Sequence, residues 1–327
     1  MTVARFAAGP RVRAWARENG VADWRAARLV RLAPEPARFL EGLLKRPPRY
    51  IRVNRLRTTR DELRKRLTAK GFELVANDLD PDVFRVRRAP MGPGATEEHM
   101  KGLLVPQDLA SASAPLALEA RPGDVIADLA AAPGVKTVHV AGDLAGRGAI
   151  VAAEPDAARV PALRANLERC GVTTAIVRAQ RAQDVPGEGW ADKVLLDAPC
   201  TGEGTMPKDR ARRQGKPEEI EALCAVQADL LAAAERILRP GGSLVYATCT
   251  FGPEENEAQL QPLVARGWKV EPLPFSSLGG EPLLPGVTEW PGLELDASLR
   301  HARRFLPGIH PTLGFFVARL RKPEGSA

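Results

Sequence analysis

The spacing of apolar residues changes twice along the chain, and each change marks a different predicted architecture. Before residue 48, apolar residues recur at helical spacing between Gly and Pro breaks, which predicts short helices over 11–20, 22–32 and 36–44. Pro36 suits the first turn of the third helix. One face of that helix then carries Phe39, Leu40, Leu43 and Leu44.

Between residues 49 and 101 the pattern becomes mixed. RYIRVNRL predicts a strand, and TTRDELRKRLTAKG predicts a helix capped by Thr58 or Thr59 and ended by Gly71. FELV and VFRVRRA predict two further strands. A βαββ series of this length predicts a small α+β module with one sheet face exposed.

From about residue 103, strands and helices alternate. The predicted strands are VIADLA, AIVAAE, TAIVRA, KVLLDAP, SLVYATC and GFFVARL, with long helices in PDAARVPALRANLERC and PEEIEALCAVQADLLAAAERIL. Short, continuous apolar strands suit a mostly parallel sheet with helices on both faces, a Rossmann-like α/β fold in which ligands bind beyond the carboxyl ends of the strands. The predicted domains are 1–48 (helical), 49–101 (α+β) and 102–322 (α/β).

Composition adds a location and a charge pattern. Every apolar run among the 327 residues is interrupted too early to span a bilayer, and arginines are spread through the N-terminus, so a cytoplasmic protein is predicted. Residues 1–101 hold 23 Lys and Arg against 12 Asp and Glu, whereas the rest of the chain is slightly acidic. This asymmetry is typical of a module that binds a polyanion, and it equally fits a generally Arg-rich composition.

The four cysteines form no CxxC pair, and only four histidines accompany them, so neither a metal site nor a disulfide is predicted. Cys170 and Cys224 fall within predicted amphipathic helices, where a buried structural thiol is the usual case. Cys200 and Cys249 instead follow the ends of the fourth and fifth strands, at the edge where ligands bind. These two thiols are the predicted chemical groups.

A second feature at the same sheet edge is the turn ADLAAAPGVKT after the first strand. Small residues there allow a ligand close to the backbone, and the helix that begins near Lys136 offers free N–H groups. Glu154, at the end of the second strand, is placed to bind two ribose hydroxyls. The turn matches neither GxGxxG nor the phosphate loop, which favours a nucleoside-like ligand such as S-adenosylmethionine over an ordinary βα turn of an unrelated enzyme.

Two thiols and a methyl donor indicate methylation of a pyrimidine at C5. Cytosine C5 is a poor nucleophile, but a thiolate that adds to C6 makes it enamine-like, and a second thiol or base then assists release. Asp197 is placed to hydrogen-bond the base edge and to favour protonation at N3. Lys136 either adds positive charge there or faces solvent; the sequence leaves both open.

These residues lie in segments that resemble the RNA cytosine-C5 methyltransferases, the family of bacterial rRNA enzymes and eukaryotic Nol1/Nop2/Sun-domain proteins. The likeness runs from Arg52 to Leu320, through RVN, VPQDLASA, DLAAAPGVKT, LLDAPCTGEGTMPKD and LVYATCTFGPEENE. PGVTEWPG and RRFLPGIHPTLGFFVARL are similar to the bacterial small-subunit rRNA branch. The resemblance implies a class I methyltransferase that acts on RNA, as a monomer and without a metal; rRNA is the expected substrate, and tRNA is the alternative.

The resemblance also implies residue roles. Cys249 is the implied nucleophile, Cys200 assists product release, and Asp197 orients the cytosine with Lys136 beside it. The implied cofactor site comprises Ala131, Ala132, Pro133, Gly134, Lys136, Glu154, Arg159, Gln180, Asp197 and Pro199, and the implied RNA contacts are Arg52, Asn54, Arg55 and Lys208.

Three departures from the family pattern stand out. Val135 replaces a usual Gly, AQRAQD makes Gln180, Arg181 or Asp184 the substitute for an Asp that contacts adenine, and Leu313 replaces an acidic or glycine residue. Val135 and the altered adenine segment favour one rival, a non-catalytic RNA-binding or assembly factor on a methyltransferase scaffold. A second rival, a DNA cytosine-C5 methyltransferase, resembles a layout without the second cysteine, so Cys249 argues against it.

Overall fold

A computed structural model describes residues 3–4 and 6–325. The chain divides into a first compact unit (Met1–Pro47, Ala198–Asp229, Ala247–Ala318) and a second (Pro48–Asp197, Leu230–Tyr246, Arg319–Ala327). This division joins segments distant in sequence, and the predicted domain boundaries near residues 48 and 101 stay predictions. The predicted N-terminal segment includes residues 1, 2 and 5, which lie outside the described residues.

Three short helices open the first unit, as the apolar spacing predicts. They are α1 (Pro10–Asn19), α2 (Asp23–Leu32) and α3 (Pro36–Gly42). Pro10 and Pro36 occupy the first turns, where the absent N–H has no intrahelical acceptor to lose. The predicted apolar face of α3 is buried at Phe39, Leu40 and Leu43, while Leu44 lies past the end of the helix and is half-buried.

The second unit begins with the predicted α+β module. It contains β1 (Arg49–Val53), α4 (Arg60–Ala69), β2 (Glu73–Ala76), β3 (Val83–Arg88), the short helix α5 (Glu97–Met100) and β4 (Leu104–Pro106). The sheet is antiparallel in the order β2-β3-β1-β4. Of the two predicted caps, Thr59 begins α4 through a reciprocal capping box with Glu62. Ile51, Val53 and Phe84 form the core beneath the sheet. The opposite face is exposed at Arg85 but buried at Tyr50 and Arg52, so the predicted exposed face is present only in part.

The α/β sheet of the second unit confirms the predicted alternation. It contains α6 (Leu109–Leu118), β5 (Val125–Asp128), α7 (Val135–Leu144), β6 (Ala149–Ala153), α8 (Val160–Cys170), β7 (Ala175–Arg178), β8 (Ala191–Asp197), α9 (Pro217–Ile237) and β9 (Leu238–Thr248). The strand order is β9-β8-β5-β6-β7, and β5 is parallel to both β6 and β8. Because the chain order reverses between β5 and β8, a ligand crevice is expected at their carboxyl ends.

The remaining elements follow β9. They are α10 (Glu257–Ala265), β10 (Lys269–Glu271), β11 (Ser277–Leu278), β12 (Glu281–Pro282), β13 (Leu284–Pro285), β14 (Glu289–Trp290), β15 (Leu293–Glu294), β16 (Arg303–Phe305) and the predicted strand β17 (Phe315–Arg321). In the first unit, β13, β16 and β17 pair antiparallel. Two-residue strands have no readable periodicity, which is why the sequence pattern misses them. Within the described part of the chain, no helix is long and apolar enough to cross a membrane.

Candidate active site

The turn between β5 and α7 brings the predicted cofactor residues Ala131, Ala132 and Pro133 to the end of β6. The N–H of Ala131 donates to the carbonyl of Ala153 at 3.0 Å, and the N–H of Ala132 donates to Glu154 Oε2 at 3.2 Å. Val135, the first residue of α7, packs against the same apolar cluster as Ala131 and Ala132. The β-branched side chain at this departure from the family pattern therefore adds packing to the turn.

Gly134 has a structural role beside the predicted one. Its φ of 95° is left-handed, and a Cβ there would lie 2.9 Å from Leu163 Cδ1 of α8. The glycine therefore serves the backbone conformation and the packing of α8 against the turn. That it also allows a ligand close to the backbone stays a prediction.

Glu154 and Arg159 lie together at this turn. The Glu154 carboxylate is buried and also accepts the N–H of Asp156 at 3.0 Å, while Arg159 lies 3.3 Å from it and donates to the carbonyl of Ala132 at 2.6 Å. A carboxylate has about four acceptor positions, so the two backbone N–H groups orient it and leave acceptor capacity for hydroxyls. The arrangement fits a ligand that carries a diol.

Gln180, just past β7, is the best of the three candidates for the adenine contact. Its Nε2 is buried and has no hydrogen-bond partner among the described residues. A buried unsatisfied donor costs about 1–3 kcal/mol, which an acceptor on a ligand would recover. Arg181 and Asp184 instead pair with each other at 3.0 Å, with side chains 67% and 50% exposed.

Lys136 does not face solvent, since its side chain is only 15% exposed and its Nζ lies 2.5 Å from Asp197 Oδ2. This contact joins the start of α7 to the end of β8. Asp128, at the end of β5, accepts the hydroxyl of Thr137 at 2.7 Å. Burial, together with the charge of Asp197, raises the pKa of Asp128 to about 6. The structure therefore favours the prediction that Lys136 adds positive charge at the sheet edge over the alternative that it faces solvent.

In the first unit, Cys200 and Cys249 lie side by side with their Sγ atoms 3.3 Å apart, and both residues are half-buried. The segments that carry them are joined by two backbone hydrogen bonds. The N–H of Ala198 donates to the carbonyl of Ala247 at 2.9 Å, and the N–H of Gly204 donates to the carbonyl of Cys249 at 2.8 Å. The proximity predicted from the two strand ends is thus present.

The surroundings of Cys200 keep it protonated. Its hydrogen bond with Cys249 and its burial raise its pKa well above the ordinary value for a thiol, and Glu255 raises it further when ionised. A protonated Cys200 can donate S–H to the sulfur of Cys249 and so stabilise a thiolate there. Cys200 is therefore the donor that this geometry favours.

Sequence reasoning missed the hydroxyl and carboxyl groups beneath the thiols. Thr201 and Thr250 directly follow the two cysteines, and their hydroxyl oxygens lie 2.7 Å apart. Thr201 also contacts Glu255, and Thr250 contacts Glu203. The signal was present as two Cys-Thr dipeptides in LLDAPCTGEG and LVYATCTFGP.

Two buried arginines of α2 hold the segments that follow the thiols. Arg25 lies 3.1 Å from Glu203, and Arg28 forms a two-point pair with Glu254 at 2.8 and 2.5 Å. Such paired, planar contacts fix both direction and distance. Part of the basic charge of the N-terminal half is therefore internal, which limits what that charge implies about a polyanion.

Two of the predicted RNA contacts are corrected. Arg52 is fully buried and donates to Gln107 at 3.0 Å, and Asn54 is fully buried and donates to the carbonyls of Gly102 and Cys170 at 2.7 and 2.8 Å. Both side chains hold the second unit together and present no surface to RNA. Arg55 and Lys208 are exposed, and their contact with RNA stays a prediction.

The other two cysteines match their predicted character. Cys170 and Cys224 are buried within α8 and α9, and burial raises the pKa of both thiols. Leu313, the third departure from the family pattern, is buried as well. Among the described residues, no group of His, Cys, Asp and Glu is arranged to hold a metal ion.

The parallel strand order, its reversal between β5 and β8 and a βα turn without phosphate-loop glycines define a class I methyltransferase fold. The profile described as 16S rRNA methyltransferase RsmB/F matches residues 115–321, and an RsmF/B-like, ferredoxin-like domain matches residues 22–91. The chain belongs to the RsmB/F family of 16S rRNA methyltransferases. The predicted fold class and family are confirmed, and the small α+β module is of the ferredoxin-like type.

Similar proteins come from bacteria, archaea and eukaryotes. The chain is 36% identical over 297 residues to ribosomal RNA small subunit methyltransferase F of Escherichia coli O6:H1, covering 88% of this chain and 59% of that protein. It is 34% identical to 25S rRNA (cytosine-C(5))-methyltransferase nop2 of Schizosaccharomyces pombe, covering 88% of this chain and 48% of that protein. A methyltransferase homolog of Pyrococcus horikoshii superposes with a TM-score of 0.84 at 34% identity, covering 96% and 99% of the two chains. The chain thus spans about half to three fifths of its two curated relatives.

Proposed function

We propose that this protein transfers a methyl group from S-adenosylmethionine to C5 of a cytosine in structured RNA, with small-subunit rRNA as the substrate. The supporting observation is the pair of thiols 3.3 Å apart, of which one is held protonated. Membership of the RsmB/F family supports the same reaction. A single structural cysteine would need no second thiol beside it.

Cys249 is the proposed nucleophile. Its thiolate adds to C6 of cytosine, and the electron pair of the C5–C6 double bond then becomes available at C5 for methylation. The S–H of Cys200 stabilises the Cys249 thiolate before addition, because a charge-assisted hydrogen bond is stronger than a neutral one. Addition to C6 also requires the pyrimidine ring to accept negative charge.

Asp197, at the edge of the base, helps the pyrimidine ring to accept this negative charge. Its carboxyl group is proposed to hydrogen-bond N3 and the exocyclic amine, which favours protonation at N3 and makes C6 more electrophilic. The ammonium of Lys136, 2.5 Å from Asp197, fixes the orientation of the carboxyl group. Lys136 thus positions the carboxyl group of Asp197 and also places a positive charge beside it.

Cys200 assists the second half of the reaction. Once C5 carries the methyl group, the C5 proton must leave, the double bond must re-form and the C6–S bond must break with its electrons returning to the sulfur of Cys249. Once Cys249 has become a thioether, Cys200 loses its S–H proton to solvent. As a thiolate it then takes the C5 proton, and the S–H that forms stabilises the departing thiolate of Cys249. In this mechanism Cys200 loses and gains a proton, whereas Cys249 forms and breaks a bond to C6.

The turn after β5 is proposed to hold the cofactor, which supplies an electrophilic methyl group when bound. Glu154 binds the ribose hydroxyls, Arg159 the carboxylate end, and the unpaired donor of Gln180 an adenine nitrogen. Ala131, Ala132 and Pro133 are proposed to line this site in the second unit. Base flipping is required because C6 is inaccessible in a stacked helix, and exposed Arg55 and Lys208 are proposed to contact phosphates.

A methyl-transfer assay tests the proposal. Purified protein and S-adenosylmethionine labelled in the methyl group are incubated with 16S rRNA, an assembly intermediate of the small subunit, tRNA or duplex DNA. Label is expected in rRNA or the assembly intermediate, at positions that bisulfite sequencing reads as 5-methylcytosine. Label in tRNA alone supports the tRNA alternative, label in DNA alone contradicts the proposal, and cofactor binding without transfer to any substrate favours the non-catalytic scaffold.

Replacement of Glu154 by alanine is expected to weaken cofactor binding by roughly tenfold to a hundredfold. Charge-assisted hydrogen bonds contribute about 1.5–3 kcal/mol, and each 1.4 kcal/mol is about a factor of ten. The dissociation constant of S-adenosylmethionine is measured by calorimetry, with Asp184→Ala as an exposed control at the same sheet edge. Wild-type affinity in a folded Glu154→Ala protein would contradict the assignment.

A further inference from the structure

A buried chain of four oxygen atoms lies directly beneath the two thiols. Glu255 Oε1 lies 2.5 Å from the hydroxyl of Thr201, that hydroxyl lies 2.7 Å from the hydroxyl of Thr250, and the latter lies 3.2 Å from Glu203 Oε2. All four residues are buried, and the most exposed of them, Thr201, is 5% exposed. Because Thr201 follows Cys200 and Thr250 follows Cys249, the central contact links the backbones of the two thiol residues.

The hydrogens available to these four oxygen atoms determine whether every contact can be a hydrogen bond. Three oxygen–oxygen contacts each require one hydrogen, whereas the two threonine hydroxyls supply two. If both carboxyl groups are ionised, one of the three contacts places two acceptor oxygens next to each other with no hydrogen between them. A protonated carboxyl group at either end satisfies all three contacts, since each hydroxyl then accepts one hydrogen bond and donates one.

Glu255 is the end that holds the proton. Glu203 Oε1 lies 3.1 Å from Nε of Arg25, so this end of the chain of oxygen atoms already contacts a cation. Burial, with the charge of Glu203, raises the pKa of Glu255 to about 7. The ionisable groups packed around Glu255 are Cys200 and Glu203 from the loop after β8, Cys224 from α9, Glu254 of its own segment, and Arg25 and Arg28 of α2, which pair with Glu203 and Glu254.

The other oxygen of Glu255 fits the same state. Its Oε2 accepts the N–H of Thr201 at 2.9 Å and the side-chain amide of Gln227 at 3.1 Å. One oxygen of the carboxyl group therefore meets only donors, while the other meets a hydroxyl. A carboxylic acid with its hydrogen on Oε1 matches this division.

We propose that Glu255 is a positioning residue that, in its protonated form, completes the Glu255–Thr201–Thr250–Glu203 chain and thereby sets the separation of the two thiols. The proposal rests on the proposed function only in treating those thiols as the reacting groups. Loss of the proton leaves one oxygen–oxygen contact without a hydrogen, so the link between the residues that follow the thiols weakens. Glu255 acts through Thr201 and Thr250 and touches no substrate.

Two substitutions separate this role from simple packing. In Glu255→Gln, the amide nitrogen can donate to Thr201 as the protonated acid does, and the amide oxygen can accept from the Thr201 N–H and from Gln227, but no proton can be lost. Glu255→Ala removes every contact. Glu255→Gln thus mimics the protonated state at every pH. If Glu255 acted as a carboxylate anion instead, Glu255→Gln would be impaired.

The first readout is the pH dependence of turnover between about pH 6 and pH 8, a range centred on the raised pKa of Glu255. Protonated Glu255 predominates below about pH 7, so wild type and Glu255→Gln are expected to have similar rates there. Above that pH the wild-type rate should fall relative to the rate of Glu255→Gln. The charge of Glu255 also raises the pKa of Cys200, so the rate ratio is interpreted together with the glutathione equilibrium, which measures the positioning of the thiols.

The second readout requires no RNA and no activity. Oxidised glutathione converts the two thiols into a disulfide and yields two molecules of reduced glutathione, and the equilibrium constant measures how well the thiols are positioned. Mass spectrometry after blocking of free thiols identifies the Cys200–Cys249 product. Glu255→Ala is expected to lower this constant by about tenfold, the effect of losing about 1.4 kcal/mol of positioning, while Glu255→Gln retains it.

The outcomes are distinct. A Glu255→Gln protein as impaired as Glu255→Ala in the glutathione equilibrium would overturn the proposal, as would a rate ratio that does not change with pH. Absence of methyl transfer in wild type would contradict the proposed function alone, because the glutathione equilibrium still tests the positioning of the thiols. Glu221→Gln, at an exposed position of α9, serves as a surface control for both readouts.

Discussion

Replacement of Cys249 by serine is expected to abolish methyl transfer, with a loss of about a thousandfold or more in the rate. A serine hydroxyl ionises far less readily than a thiol and is a weaker nucleophile at neutral pH, so addition to C6 should fail even though the side chain has nearly the same shape. The measurement is the initial rate of methyl label entering rRNA, and no covalent protein–RNA complex should form.

Two controls make this result specific. Cys170→Ala removes a buried thiol from α8 in the second unit and should leave methyl transfer in place, although it lowers stability by the loss of buried apolar volume. The affinity of Cys249→Ser for S-adenosylmethionine should match that of wild type. If Cys249→Ser still formed the adduct while Cys200→Ser did not, the roles of the two cysteines would be exchanged.

Replacement of Cys200 by serine is expected to trap a covalent complex between Cys249 and the RNA. Addition and methylation remain possible, but removal of the C5 proton and expulsion of the thiol lose their assistance, and general acid–base assistance is typically worth about 10²–10⁴-fold. A denaturing gel should show protein that migrates with labelled RNA, accumulating with time when cofactor is present.

The trapped complex provides its own internal test. The double variant Cys200→Ser with Cys249→Ser should form no complex, because the nucleophile is absent. Reduction of the wild-type protein before the assay excludes a disulfide between the two thiols as the cause of inactivity. Rapid release from Cys200→Ser, with turnover close to wild type, would show that Cys200 is not the group that assists release.

The structure also changes how the charge of the N-terminal half is understood. From the sequence, its excess of arginine was equally compatible with a polyanion-binding surface and with composition alone. Arg25, Arg28 and Arg52 are buried, and the first two are paired with glutamates in the thiol-bearing unit. These residues stabilise the protein, so only exposed residues such as Arg55 and Lys208 remain available for phosphates.

The sequence by itself determined the main helices and strands and the positions of the proposed reacting groups along them. Strand and helix periodicities are local, and a residue that directly follows a parallel strand lies at the ligand-binding edge whatever the rest of the fold does. Cys200, Cys249 and Glu154 could therefore be assigned from their positions in the chain. The buried character of Cys170 and Cys224 followed from helix periodicity in the same way.

Only the tertiary structure decided what surrounds those groups. Glu255 meets Thr201 across 54 residues of chain and Arg28 meets Glu254 across 226, and no local pattern encodes such contacts. Burial of a polar residue likewise depends on which segments cover it, which is why Arg52 and Asn54 read as surface residues. The same packing raises the pKa of Cys200, through the neighbouring sulfur of Cys249, burial and the carboxyl group of Glu255.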